Sequence, residues 1–144
     1  MSTLVYVLNG PNLNLLGTRE PDIYGSDTLA DIETALHGQA KTLGLTIDFR
    51  QTNHEGQLVD WLHEANSEGA KAVLLNAAAY THTSIALLDA CRAITVPVIE
   101  VHLSDPSKRE EFRHVSYVGM AAADCVQGLG ARSYSVALDK AASL

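Results

Sequence analysis

Residues 3–28 read T-L-V-Y-V-L-N-G-P-N-L-N-L-L-G-T-R-E-P-D-I-Y-G-S-D-T, and the architecture of the chain unfolds from this succession of residue types. Thr3 to Leu8 is an uncharged run that is apolar throughout rather than at alternate positions, the pattern of a strand covered on both faces. Asn9 to Asp27 then holds three glycines and two prolines with no hydrophobic period. It reads as a long irregular connection, and such connections in a compact domain are functional or disordered. Asp27 and Thr28 are good helix N-caps, and Leu29, Ile32, Leu36 and Leu43 follow at helical spacing until Gly44 supplies the stop.

The same alternation continues outward from that unit. Leu45 to Gln51 alternates Leu45, Ile47 and Phe49 with Thr46, Asp48 and Arg50, which predicts a half-exposed strand at a sheet edge. Asn53 to Gly56 reads as a turn, with Glu55 and Gly56 at the entrance to a second helix that carries Leu58, Val59, Leu62 and Ala65 and ends at Gly69. Within it, Trp61 is expected to pack and His63 to face solvent. Ala72 to Leu75 reads as a buried third strand. Thr83 or Ser84 caps a third helix bearing Ile85, Leu88 and Cys91, and Val98 to Leu103, entered through Pro97, is a fourth strand. Beyond the charged connection Ser104 to His114, Val115 to Val118 is expected as a fifth strand, Ala121 to Leu129 as a helix, and Ser133 to Leu144 as a helical tail. Strands alternating with helices require right-handed crossovers and a parallel sheet. The predicted fold is therefore α/β: a flavodoxin-like three-layer sandwich whose five-stranded parallel sheet has the order 2-1-3-4-5. Such sheets bind ligands beyond the carboxyl ends of the strands where the winding reverses, between strands one and three.

With 144 residues and 47% apolar content, residues 1–144 are expected to form one domain with a full core and no need of disulfides. Ten Lys and Arg against 17 Asp and Glu give a net charge of −7, the wrong balance for tracking phosphates, so nucleic acid is excluded as a partner. No apolar run approaches the roughly 20 residues that span a bilayer, which excludes a membrane helix. With no basic region ahead of Leu4 to Leu8 and no cleavage site after it, the expected compartment is the cytoplasm. Cys91 and Cys125 lie in different segments among Ala, Leu and Val, and are read as buried inert thiols.

Four segments concentrate the unusual polar residues: Asn9 to Gly25, Asn76 to Ser84, Glu100 to Ser104 and Glu111 to His114. None is a G-x-x-x-x-G-K-[ST], G-x-G-x-x-G or G-x-S-x-G motif, and the first strand ends on neutral amides rather than the acids of a response regulator. The six histidines include no H-E-x-x-H or H-x-H pair, so no metal site is expected. Asn12, Asn76, His82, Thr83 and Ser104 instead suit a small polyhydroxylated molecule, with Arg19 or Arg113 for a carboxylate. The general acid or base must come from His82, His102, Tyr24 or Glu100. Glu100 and His102 share a strand face, so the carboxylate can orient the imidazole, or the two form a solvent-facing pair at a strand end. Tyr24, five residues after Arg19, either packs the loop onto the body or is a base whose phenolate the guanidinium favours.

Taken together, these segments resemble the type II 3-dehydroquinate dehydratases. The family pattern N-G-P-N-L-N-x-L-G-x-R-x-P-x-x-Y-G is complete from Asn9 to Gly25. Q-T-N-H-E-G at Gln51, A-Y-T-H-T-S at Ala79, E-V-H-L-S at Glu100 and F-R-H at Phe112 follow in the same order and spacing. The resemblance implies cofactor-free dehydration of 3-dehydroquinate to 3-dehydroshikimate through an enolate, in the shikimate pathway to chorismate and aromatic amino acids or in quinate catabolism. It makes Tyr24 the base, Arg19 the cation that keeps it a phenolate, Asn12 the enolate stabiliser through a water, and His102, held by Glu100, the acid. It assigns Asn76, His82, Leu103, Ser104 and Arg113 to the substrate's hydroxyls and carboxylate. It further implies a homododecamer, a tetramer of trimers, with Asp89 reaching a neighbouring subunit's site. Ala77, Ala78, Asp105 and Val115 depart from the family pattern; Asp105 adds negative charge near an anionic substrate and is expected to weaken its binding. The alternative from a different class is a non-catalytic flavodoxin-like subunit that binds a small molecule or serves assembly.

Overall fold

Five of the six residues of the first strand, β1 (Leu4–Asn9), are buried, because strands flank it on both edges and helices cover both of its faces. The structure is a computed structural model that describes residues 2–18 and 20–144, with the backbone alone for Pro21 and Tyr24. After β1 come α1 (Pro21–Tyr24), α2 (Leu29–Leu43), β2 (Thr46–Gln51), α3 (Glu55–Ser67), β3 (Ala72–Asn76), α4 (Ile85–Ala93), β4 (Val98–Val101), β5 (Asp124–Val126) and α5 (Arg132–Ala142), with short 3-10 turns between them. The sheet order is β2-β1-β3-β4-β5 and every pairing is parallel. This is the flavodoxin-like arrangement expected from the sequence.

Alternate residues of each central strand enter opposite cores. Val5, Val7, Ala72, Leu74, Ile99 and Val101 face α2 and α5, while Tyr6, Leu8, Val73, Leu75 and Val98 face α3 and α4. Burying a side chain such as Leu58, Leu62 or Leu138 stabilises the fold by about 1.5–3 kcal/mol each. The register aligns Asn9 of β1 with Gln51 of β2 and with Asn76 of β3. Three loops therefore leave the sheet at one level.

Helix α2 begins at the expected cap: Thr28 accepts from the Asp31 amide while Asp31 accepts from the Thr28 amide, and Gly44 closes the helix at φ 71°. Ser84, rather than Thr83, caps α4 through the Leu87 amide. Helix α3 starts at Glu55, at the expected entrance and inside the Asn53 to Gly56 turn, where the Thr52 hydroxyl accepts from the His54 amide and bonds the Gln57 side chain.

Two expectations fail at the carboxyl end of the sheet. Val115 to Val118 is not a strand; Val118–Met120 is a 3-10 turn whose Val118 plugs the core beneath α4. Ala121 to Leu129 is not a helix, since it contains β5, which pairs Glu100 with Cys125. The short run Asp124–Val126 has no helical stripe to bury, and the open edge of β4 offers it hydrogen bonds, as in Ala123 N–H to the Val98 carbonyl. Cys125 is consequently exposed on the sheet edge, not buried, whereas Cys91 is buried and its thiol is pushed up to about 11 chiefly by that burial. β4 also stops at Val101, so His102 and Leu103 stand just beyond the sheet.

Candidate active site

The loops after β1, β3 and β4 enclose a cavity of about 150 Å³ at the winding reversal. Pro11, Asn12 and Leu13 come from the first loop, Asn76, Ala78, Ala79 and His82 from the second, and His102, Leu103 and Ser104 from the third. Pro106, Arg109 and Arg113 close it from the charged connection. Among the described residues no carboxylate lines this space. A cavity rich in amides, imidazoles and guanidinium groups favours an anionic, hydroxylated guest in spite of the chain's net negative charge.

Close backbone approach builds the mouth. The Gly10 amide donates to the Asn76 carbonyl at 2.8 Å, and a Cβ at Gly10 would stand 2.5 Å from the Ala77 carbonyl oxygen, so glycine is required for the first loop to cross the second. Asn12 and Ala78, both on the wall, hold left-handed φ values of 68° and 51°. The Asn12 amide donates to Asn53 Oδ1 at 3.0 Å, and Gln51 Nε2 donates to the Gly10 carbonyl at 3.1 Å. The Q-T-N-H stretch thus acts as a brace for the first loop, and such local strain persists only when neighbours over-determine it.

The His102 ring in the cavity wall is half of a buried acid–imidazole pair, with Glu100 behind it. His102 Nε2 lies 2.6 Å from Glu100 Oε2, with His102 7% and Glu100 3% exposed, which excludes the solvent-facing arrangement. Burial opposes ionisation of Glu100, but hydrogen bonds from His102 and Ser116 outweigh it and hold its carboxyl below the usual carboxylate range. An ionised carboxylate can only accept, so Nε2 carries a proton and the other ring nitrogen is left for chemistry. Ser116 Oγ donates to the same carboxylate oxygen at 2.5 Å and accepts from the Gly119 amide at 2.8 Å. The His82 ring stacks on His102 with centroids 6.5 Å apart. Its Nδ1 lies 2.8 Å from the Val115 carbonyl, and burial is the main cause that holds its pKa below the ordinary value.

The structure therefore brings together Asn12, Asn76, His82, His102, Leu103, Ser104 and Arg113, with Glu100 behind them. Arg113 Nε donates to Glu110 at 2.8 Å. Asp89 is exposed on α4 and does not line this cavity. Arg19 and the Tyr24 side chain lie outside the described residues; Asp22, Ile23 and Gly25 from the same loop border an adjoining hollow that shares Leu103, Ser104 and Arg109 with the cavity. Asp105 spends its carboxylate capping the 3-10 turn at Ser107 and borders that hollow rather than the cavity. Sequence reasoning missed Arg109, which reaches Ser104 Oγ at 3.4 Å, and Ser116; both lie in segments whose only local signal is charge or polarity. Among the described residues no group of three His, Cys, Asp or Glu side chains is placed to hold a metal ion, and no helix is long and apolar enough to cross a membrane.

A doubly wound parallel sheet with a switch-point cavity lined by amides, two imidazoles and two guanidinium groups defines a flavodoxin-like protein with a pocket whose chemistry suits a small anion. The chain belongs to the family Dehydroquinase class II, whose model matches residues 3–142. It is 59% identical over 138 residues to a 3-dehydroquinate dehydratase of Sinorhizobium medicae, covering 96% of this chain and 93% of that one. It is 55% identical over 144 residues to the enzyme of the same name from Phenylobacterium zucineum, covering 100% of this chain and 99% of the relative. The crystal structure of a type II dehydroquinase from Propionibacterium acnes superposes with a TM-score of 0.95 at 42% identity, covering 100% of this chain and 99% of that one.

Proposed function

We propose that this chain is a lyase that removes water from 3-dehydroquinate to give 3-dehydroshikimate without a cofactor, serving aromatic biosynthesis or quinate breakdown. The observation that carries the reading is His102 in the wall of a cavity that no described carboxylate lines, bonded from behind by the buried Glu100, in a chain whose relatives bear that enzyme's name. Tyr24, kept ionised by Arg19, takes the proton alpha to the ketone, and the electron pair moves onto the carbonyl oxygen as an enolate. Asn12 stabilises that oxyanion through a water, an electrostatic contribution that is often the largest in such reactions. The enolate collapses, the carbon–oxygen bond beta to it breaks, and His102, protonated also on the ring nitrogen turned away from Glu100, gives that second proton to the departing hydroxyl, which leaves as water. Asn76, His82, Leu103, Ser104 and Arg113 hold the hydroxyls and the carboxylate.

The assembly proposed is a homododecamer of four trimers in the cytoplasm, with Asp89 contributed to a neighbour's site. Exposed Ile85 on α4, together with Phe112, Val115 and Met120 around the connection, supports subunit contact beside the cavity. Two unpaired cysteines suit a reducing compartment. Sedimentation of the purified protein tests the assembly, which requires a mass twelve times the 15.4 kDa of the chain.

The deciding experiment is an ultraviolet assay for the conjugated enone of 3-dehydroshikimate. Purified protein given 3-dehydroquinate should produce a steady rise in absorbance that a metal chelator leaves unchanged. A flat trace at micromolar enzyme removes the proposal.

A further inference from the structure

Two polar side chains that the reaction scheme does not use, Asn9 and Tyr134, meet Asn76 in the core directly behind the cavity. Asn9 at the end of β1 is fully buried, Asn76 at the end of β3 is 3% exposed, and Tyr134 on α5 is 1% exposed. Tyr134 Oη lies 2.6 Å from Asn9 Oδ1 and 2.8 Å from Asn76 Nδ2.

The direction of every bond in this chain follows from its ends. Asn9 Nδ2 is 2.9 Å from the Arg50 carbonyl, a group that only accepts, so the amide nitrogen of Asn9 must face β2 and its oxygen must face Tyr134. That oxygen also only accepts, so the single phenol proton of Tyr134 is committed to it. Burial pushes the Tyr134 pKa up and keeps that proton in place. With its proton spent, Oη can only accept from its second neighbour, which must therefore present the nitrogen of Asn76. The other end agrees, because the Ala78 amide only donates and lies 3.2 Å from Asn76 Oδ1.

We infer that Tyr134 is a positioning residue which, through Asn9, sets the amide of Asn76 so that one N–H is always presented to the substrate. The inference rests on the proposed function, in which Asn76 binds a substrate hydroxyl. The relay leaves Asn76 one N–H and one lone pair for the cavity it lines, and it fixes which of the two faces the guest. The C-terminal helix thereby specifies a binding group that comes from β3. Without the relay only the 3.2 Å bond from the Ala78 amide holds the orientation, and an amide that flips against it presents an acceptor to a substrate group that needs a donor.

The test is the steady-state kinetics of Tyr134→Phe, Asn76→Ala and the double variant, each as the full chain in its native assembly. Tyr134→Phe keeps the ring that fills the core and removes only the relay. It should raise KM about ten-fold while kcat stays within about three-fold of wild type, the signature of lost binding rather than lost chemistry. In the Asn76→Ala background the same substitution should change KM less than two-fold, because the group it orients is gone. Asn9→Ala, which frees the phenol proton to turn toward Asn76, should raise KM in the same sense and covers the case in which Tyr134→Phe fails to fold. Leu138→Ala, a core truncation on the same helix, should lower Tm without moving KM. An unchanged KM in Tyr134→Phe from a wild type that turns over, or a KM effect that persists in full without Asn76, overturns the inference alone. A wild type with no turnover overturns the proposed function and this inference with it.

Discussion

Glu100 and His102 are bonded at 2.6 Å in a site where both side chains are buried, and the carboxylate is the member that the surroundings keep ionised. Replacing it by the neutral isostere, Glu100→Gln, keeps the volume and removes the charge that orients and supports the imidazole. We expect kcat to fall by about ten- to a hundred-fold in the enone assay with a smaller change in KM. The same pair predicts an acid sensitivity. A carboxyl that binds its proton less readily when folded contributes fully above its ordinary value of 4.5 and loses that contribution as the pH falls through its lower folded value. In urea unfolding, the stability gap between wild type and Glu100→Gln should therefore narrow as the pH is lowered from about 6 to about 3; a gap that widens on acidification contradicts the assignment.

Tyr24 carries the proton-abstraction step in the proposed scheme. Tyr24→Phe should lower kcat by about a hundred- to ten-thousand-fold, the range expected for removal of a general base, while substrate still binds with nearly unaltered affinity by calorimetry. Retention of wild-type turnover would take Tyr24 out of the base role and leave the rest of the site intact.

The His82 ring is tied at Nδ1 to the Val115 carbonyl, a group that only accepts, so Nδ1 bears the proton and Nε2 the lone pair. Burial is the first cause of its lowered pKa, and the nearby charges of His102 and Arg113 act in the same direction. Nitrogen NMR at neutral pH should show a neutral Nδ1–H tautomer that titrates below 6.5. The unfolded chain binds this proton more readily than the folded one, so the group subtracts stability as the pH falls through that ordinary value. A titration midpoint above 6.5 would refute the burial argument.

Gly10 and Ala78 predict changes of opposite sign at the same crossing. Gly10→Ala would drive a Cβ to 2.5 Å from a backbone oxygen that cannot swing away, and should cost about 1–3 kcal/mol in urea unfolding together with activity. Ala78 sits at φ 51°, where a side chain is strained, so Ala78→Gly should stabilise the protein by roughly 0.5–1 kcal/mol. If Gly10→Ala proved as stable as wild type, the two loops would have to cross differently.

Much of this site was legible from local pattern. A strand that is apolar throughout, a cap, a helical stripe and a glycine stop are properties of neighbouring residues, so β1, α2, α3, β3 and α4 could be read in order, and the sheet order then placed the β1, β3 and β4 loops side by side. Pairing Glu100 with His102 needed only the two-residue period of a strand. The fifth strand was misread because Val115 to Val118 and Asp124 to Val126 are both too short for periodicity to decide. The open edge of β4 and the core space under α4 chose between them. Exposure of Cys125 follows from that choice.

By itself, then, the order of residue types determined the alternation of strands and helices, the parallel sheet and the loops that carry the polar groups. Tertiary structure alone decided which distant groups complete them. Ser116 joins Glu100 across 16 positions, and Tyr134 joins Asn9 across 125. The physical reason is that a helix stripe or a cap is satisfied within a few residues, whereas a buried carboxylate or amide needs partners from whichever segments the completed fold brings within about 3 Å.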